Sequence, residues 1–246
     1  MRPALVLLAS ALLPWPAHAT DWHAQGREIL AKAISIPTVQ ERKESHVDEL
    51  VSYLKGKFEA AGITNIVVKP YKNTQAMIIR WPAIGKAKYK PILLLGHMDV
   101  VEAKREDWSV DPFQLIEKDG YLYGRGSTDM KNGITAITLA LLRLKAEGFK
   151  PKRDIIVLFT GDEENEGKGA ELGATEWRAL TDAEYALNAD AGGGGFLKDG
   201  TPLGFGLQNS EKMYQSYSFT VRNAGGHSSR PRPDRPASED SAHPSA

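Results

Sequence analysis

Residues 92–101 read ILLLGHMDVV. An apolar run suited to a buried strand passes through Gly96 and ends in His97 and Asp99, two polar side chains one residue apart. In an extended chain alternate residues share a face, so both can point into whatever cleft lies beyond the strand. An imidazole beside a carboxylate is how proteins hold a metal-binding histidine in one tautomer and orientation. The same pair is also common as a plain hydrogen-bonded contact, so the rest of the chain must decide.

Around this strand, helical and extended patterns alternate. Apolar residues recur at helical spacing over 21–36 and stop at Pro37, which cannot continue a helix. A second helix is expected over 45–61, with Val47, Leu50, Leu54 and Phe58 on one face and Gly62 at its end. Short β-rich runs follow at 66–69, 76–81, 92–95 and 121–123. Residues 134–147 carry Ile137, Leu141 and Leu144 on one helical stripe, closed by Gly148. Residues 154–160 form a continuous apolar run of the kind buried on both faces, and 185–188 another strand. The alternation predicts an α/β domain with a mixed, mostly parallel sheet. Ligands of such sheets bind beyond the carboxyl ends of the strands, so polar clusters should sit there.

Four do. His97 and Asp99 come first; Asp129 follows in GRGSTDMKNG, between a glycine-rich turn and a helix. Glu163 and Glu164 come directly after the buried strand in TGDEENEGKGA, and Asp190 follows 185–188 in LNADAGGGG. There is no cysteine in the chain, so thiolate metal sites and disulfides are excluded. One imidazole with several carboxylates suits a divalent ion, zinc above all. A carboxylate such as Asp129 can give one oxygen to each of two ions roughly 3.5–4 Å apart. Adjacent Glu163 and Glu164 leave the backbone in different directions, so one can bind metal while the other takes a proton from an attacking water. Taken alone, the Glu-Glu pair also reads as a solvated acidic loop.

The order GHMDVV, GRGSTDMKNG, GDEENEG, NADAGGG and GGHSSRP, over roughly residues 25–231, resembles the M20 family of zinc-dependent peptidases, which includes carboxypeptidases, dipeptidases and deacylases of N-acyl amino acids. Asp190 in its N-A-D setting resembles the carboxypeptidase and dipeptidase branch. The resemblance implies a zinc-exopeptidase-like domain followed by a small α+β lid or dimerisation domain. It implies that His97, Asp129 and Asp190 bind one zinc, with Asp129 bridging to a second held by Glu164. Glu163 becomes the general base, Asp99 orients His97, and His227 in GGHSSRP stabilises the oxyanion in the partner subunit's active site. Complete relatives are homodimers with two zinc ions per site, the second also held by a last histidine. The remaining histidines, His18, His23 and His46, fall outside these motifs, and His243 lies in a tail with nothing to position it.

The termini read differently from the middle. Residues 1–19, MRPALVLLASALLPWPAHA, have the basic start, short apolar core and small-x-small end of a cleaved signal peptide, which implies a periplasmic or secreted protein with no membrane anchor after cleavage. Residues 20–209 are then the catalytic domain, 210–231 open the dimerisation domain with an alternating stretch at 214–222, and 232–246 (PDRPASEDSAHPSA at their end) are expected to be disordered. On the family pattern the catalytic and small domains are both incomplete, and the second zinc site lacks its histidine. With 31 basic and 31 acidic residues, overall charge gives no reason to expect nucleic acid as a partner.

The function expected is hydrolysis of an amide in peptides or N-acyl amino acids with a free carboxylate. One alternative is an inactive, truncated metal-binding fragment of such a hydrolase. Another is a periplasmic α/β ligand-binding domain whose acidic clusters are surface loops.

Overall fold

The computed structural model describes residues 20–39, 42, 45–190, 193–210, 215 and 217–220. Helix α1 (Trp22–Ser35) begins where the Asp21 carboxylate accepts the backbone N–H groups of His23 and Ala24, both at 3.0 Å, and ends ahead of Pro37. Helix α2 (Val47–Ala60) buries Val47, Leu50, Leu54 and Phe58, and Gly62 leaves it at a φ of 75° that an L side chain resists. A hairpin of β1 (Ile66–Tyr71) and β2 (Thr74–Trp81) leads to β3 (Ile92–His97), then to the small hairpin β4 (Ile116–Lys118) and β5 (Tyr121–Tyr123). After α3 (Lys131–Ala146) come β6 (Ile155–Thr160), the short helices α4 (Lys168–Ala174) and α5 (Arg178–Thr181), and β7 (Tyr185–Asn188). A third hairpin, β8 (Gly193–Phe196) and β9 (Pro202–Gly206), follows.

The central sheet has the order β1-β2-β6-β3-β7. β3 runs parallel to both β6 and β7, while β2 is antiparallel to β1 and β6, so β2 alone runs against the other four. The α/β architecture with a mixed sheet is therefore as the sequence predicts. β6 shows why its sequence is apolar throughout. Ile155, Val157 and Phe159 face the core under α1, α2 and α3, whereas Ile156 and Leu158 pack with Leu172 and Trp177 on the opposite face. A strand covered on both sides has no solvent face on which to carry polar residues.

The parallel strands bring their carboxyl ends to one edge. His97 pairs in register with Thr160, and Leu95 with Asn188, so the segments after β3, β6 and β7 leave the sheet side by side. Gly133 lets α3 approach that edge: a Cβ there would lie 2.9 Å from the Ala189 carbonyl oxygen. The edge is further tied down by the Thr38 hydroxyl, which donates to the Met98 carbonyl at 2.6 Å, and by the Val100 N–H on the Thr38 carbonyl at 2.9 Å.

Several elements extend beyond the sequence pattern. α3 begins at Lys131, a turn earlier than its apolar stripe, because Lys131 itself is buried. β4, α4, α5, β8 and β9 have too few residues for a period to show. In the stretch 214–222, where alternation predicts a strand, the described residues 215 and 217–220 lie outside any helix or strand. Residues 1–19 and the rest of the stretch from 221 onward, including His227 and His243, lie outside the described residues.

Candidate metal centre

His97 is the floor of the site. Its side chain is 2% exposed, and its Nδ1 donates to the Asp99 backbone carbonyl at 3.0 Å. That bond leaves Nε2 facing the strand edge. Around Nε2 stand Asp129 Oδ1 at 3.0 Å, Asp190 Oδ1 at 3.6 Å and Glu163 Oε2 at 3.7 Å. His97, Asp129 and Glu164 form one set of converging donor atoms, and His97, Glu163 and Asp190 a second. The Asp129 side chain is 60% exposed, so the site opens to solvent above a buried imidazole.

The electrostatics are those of crowded carboxylates. Burial, then the neighbouring Asp129, push the Glu164 carboxyl up to about 7. Burial and the charges of Asp190, Asp99 and Asp129 raise Glu163, and burial and Asp129 raise Asp190. Burial works against a charged His97, but Asp99, Asp190 and Glu163 outweigh it and lift the ring to about 9. Each carboxylate lowers the proton affinity it is given by becoming a ligand, so a divalent cation relieves repulsion that protons otherwise absorb.

The donor set fits such an ion. Oxygen and nitrogen ligands at about 2.0–2.1 Å from a tetrahedral zinc stand about 3.3–3.4 Å apart. The separations of 3.0, 3.6 and 3.7 Å around His97 Nε2 bracket that value. The bond from Nδ1 to a carbonyl selects the tautomer whose Nε2 lone pair is free to ligate. A single imidazole serves both donor sets, and it has only one nitrogen to offer.

Asp99 meets His97 through its backbone as well as its side chain. Its carboxylate oxygen is 3.5 Å from His97 Nδ1, farther than the backbone carbonyl that takes the bond. The two carboxylate oxygens also accept the backbone N–H groups of Glu163 at 3.1 Å and Glu164 at 3.0 Å. The buried Asp99 thus fixes the Glu-Glu pair relative to His97, which it reaches through its own backbone.

A second buried carboxylate holds the same loop from the other side. Asp162 accepts the Tyr71 hydroxyl at 2.7 Å and the N–H groups of Lys168 and Gly169, both at 2.9 Å, and the Tyr71 oxygen accepts the Gly161 N–H at 3.1 Å. The Asp162 backbone carbonyl also receives the Glu166 and Gly167 N–H groups. Behind Asp129, Lys131 donates from its buried ammonium to the carbonyls of Ala33 at 2.9 Å and Ile36 at 2.7 Å, joining the end of α1 to the start of α3. Sequence reading singled out none of Asp162, Tyr71 and Lys131. Asp162 stood next to the Glu-Glu pair, but nothing in GDEE tells a buried carboxylate from an exposed one. The histidines outside the motifs that are described, His23 and His46, lie on α1 and at the start of α2, away from these donor sets.

The sequence pattern of peptidase family M20/M25/M40 matches residues 93–239, more than half of the chain. This chain belongs to that family. It is 35% identical over 207 residues to a probable succinyl-diaminopimelate desuccinylase of Staphylococcus aureus strain MRSA252, covering 83% of this chain and 46% of the relative. It is 32% identical over 209 residues to the mouse N-fatty-acyl-amino acid synthase/hydrolase PM20D1, covering 80% of this chain and 39% of that protein. The chain therefore spans about half the length, or less, of the curated relatives it matches. Among solved structures, an M20 family metallo-carboxypeptidase from Sulfolobus solfataricus matches with a TM-score of 0.59 at 20% identity, over 72% of this chain and 39% of that one. The dipeptidase Dug1p of Saccharomyces cerevisiae matches with a TM-score of 0.59 at 23% identity, over 68% and 38%. These two likenesses are of fold. For this M20 family chain, the donor sets described above fall on the motifs GHMD, STDM, DEE and NAD.

Proposed function

We propose that this M20 family chain forms the metal centre of a zinc-dependent hydrolase that cleaves the amide bond of peptides or N-acyl amino acids bearing a free carboxylate. The observation that carries the reading is the convergence of Asp129, Glu163, Glu164 and Asp190 on the single buried imidazole of His97. Its relatives support the reaction class, since the names of both curated relatives and of the solved dipeptidase and carboxypeptidase describe making or breaking amides.

In this reading the family pattern regroups the donors: His97, Asp129 and Asp190 would hold one ion and Glu164 with Asp129 a second, which takes Glu163 out of the set it shares with His97 and Asp190 and leaves it as the base. Zinc there supplies Lewis-acid polarisation of the amide carbonyl and water made acidic enough to react near neutral pH. With zinc bound, Glu163 would be the group placed to take a proton from the attacking water and return it to the departing amine nitrogen. Asp99 keeps Glu163 and Glu164 in their separate roles by holding both backbone N–H groups. His227, on the family pattern, stabilises the oxyanion from a partner subunit. The signal-like residues 1–19 support export to a periplasm or beyond, with the mature chain starting near Thr20.

A second reading is a metal-binding piece of such a hydrolase without turnover of its own. The sharing of one imidazole by both donor sets favours it, because the second ion is left with carboxylates alone among the described residues. One experiment separates the two. Zinc-loaded protein is assayed against dipeptides, N-succinyl amino acids and N-fatty-acyl amino acids, beside the Glu163→Gln variant. Turnover that falls by about 10²–10⁴ in the variant, with zinc retained, supports the hydrolase. Zinc binding without turnover on any substrate establishes the second reading.

A further inference from the structure

The end of the sheet opposite the metal centre carries a concentration of charge that overall neutrality conceals. Two loops meet there, 82–91 between β2 and β3, and 147–154 between α3 and β6. They are joined by the Ile84 N–H on the Pro151 carbonyl at 2.9 Å and the Lys88 N–H on the Lys152 carbonyl at 3.1 Å. Lys86, Lys88, Lys90, Lys150 and Lys152 are all exposed on this joined surface.

Among the described residues no acid pairs with them. The acidic groups at this end are each taken by an arginine: Asp154 by Arg80 at 2.7 Å, Glu184 by Arg153 at 2.7 Å and Asp182 by Arg178 at 3.4 Å. Glu147, on the same turn, pairs with Arg143 at 2.7 Å. The five lysines are in no ion pair among the described residues. Among them stand apolar side chains that water does not favour: Ile84 is 61% exposed, Tyr89 55% and Phe149 44%. Both rings are braced, Tyr89 under the Arg153 guanidinium at 4.7 Å and Phe149 edge-on to Trp81 at 6.0 Å. These contacts fix both rings in place while about half of each stays exposed.

We propose that this face binds the surface of an anionic lipid bilayer. Lysines alone would suit any polyanion, but lysines interleaved with outward apolar side chains match an interface with charged headgroups above and acyl chains below. The two parts act together, since neither a few lysines nor one shallow apolar contact holds a protein at a membrane. The geometry suits an enzyme working on soluble substrates. β3 rises through five steps from Ile92 at the basic face to His97, so the metal centre lies about 17 Å away and opens from the other end of the sheet.

The test is co-sedimentation of the zinc-loaded chain with vesicles of phosphatidylcholine alone and with phosphatidylglycerol-rich vesicles. It is repeated on the triple variant Lys86→Glu, Lys88→Glu, Lys90→Glu and on Ile84→Ser. Zinc retention, read at the far end of the sheet, reports that each variant is folded. Binding confined to the phosphatidylglycerol vesicles, weakened more than about tenfold by the triple variant and by high salt, supports the proposal. Ile84→Ser should remove the fraction of binding that survives moderate salt. No binding by the parent chain, or equal binding by the triple variant, overturns it. Binding to heparin but not to vesicles overturns it in favour of a soluble polyanion.

Discussion

The Asp99 carboxylate accepts the backbone N–H of Glu164 at 3.0 Å, and its other oxygen accepts that of Glu163 at 3.1 Å. With Nδ1 of His97 bonded to the Asp99 carbonyl, one fully buried residue sets the imidazole by its backbone and the two glutamates by its side chain. Asp99→Asn replaces one acceptor oxygen by an NH2 group that confronts a backbone N–H. The expected result is a loss of about 1–3 kcal/mol in stability by urea unfolding. Zinc affinity should also fall, by about 10–100-fold in a competition titration with a chelator. Unchanged zinc affinity would show that the glutamates are positioned by something else.

Tyr71 tests the opposite side of the same loop. Its hydroxyl joins Asp162 to the Gly161 N–H, and burial with the adjacent Asp162 raises the phenol well above its usual range, so it stays a donor. Tyr71→Phe keeps the ring that packs edge-on to Trp177 and removes only the hydroxyl. The buried Asp162 retains the two N–H bonds from Lys168 and Gly169, so the loop loosens without unravelling. Stability should drop by about 1–3 kcal/mol, with a smaller loss of zinc affinity than in Asp99→Asn.

Gly133→Ala sets helix propensity against packing. Alanine is the better helix former by roughly 1 kcal/mol. The added Cβ would lie 2.7 Å from Met130 Cε and 2.9 Å from the Ala189 carbonyl oxygen, and the backbone contact cannot yield as a side chain can. Thermal unfolding should therefore show a destabilised variant. A higher Tm would mean that the Ala189–Asp190 segment moves freely.

Acidity should act differently on the metal-free and zinc-bound forms. Glu164 has a folded-state pKa of about 7, raised above the usual glutamate value of about 4.5, so the folded metal-free chain binds more protons than the unfolded one between those values. Its contribution is fully present below about 4.5 and is lost as pH rises through about 7; Glu163 and Asp190, also raised, act in the same sense. Zinc needs these groups ionised, so its stabilisation grows over the same interval. Urea midpoints measured from about pH 4.5 to 7 should fall without zinc and fall less, or rise, with it. Parallel curves would contradict the assignment of the raised groups to the metal centre.

The residues of the candidate site were legible in the sequence because each sits where a period breaks. His97 ends an apolar run, Glu163 and Glu164 follow another, and Asp190 follows a third. Parallel strands then had only one edge at which these breaks could meet. Tyr71 and Asp162 were hidden because their meaning depends on the antiparallel pairing of β1 with β2 and of β2 with β6, which no local pattern encodes. Lys131 was hidden because a buried lysine contradicts the binary pattern, and only the ends of α1 and α3 brought together explain it. Neutral overall composition likewise concealed the five lysines, since a sum over the chain carries no position.

The central claim is that His97, with Asp129 and the carboxylates around it, is a zinc site. The most direct measurement is zinc content per chain after dialysis, on the parent protein, His97→Ala and Asp129→Ala. The account predicts about one tightly held zinc or more in the parent chain and its loss in both variants, with the circular dichroism of the fold retained. A parent chain that holds no zinc, or a His97→Ala variant that holds as much as the parent, would contradict it.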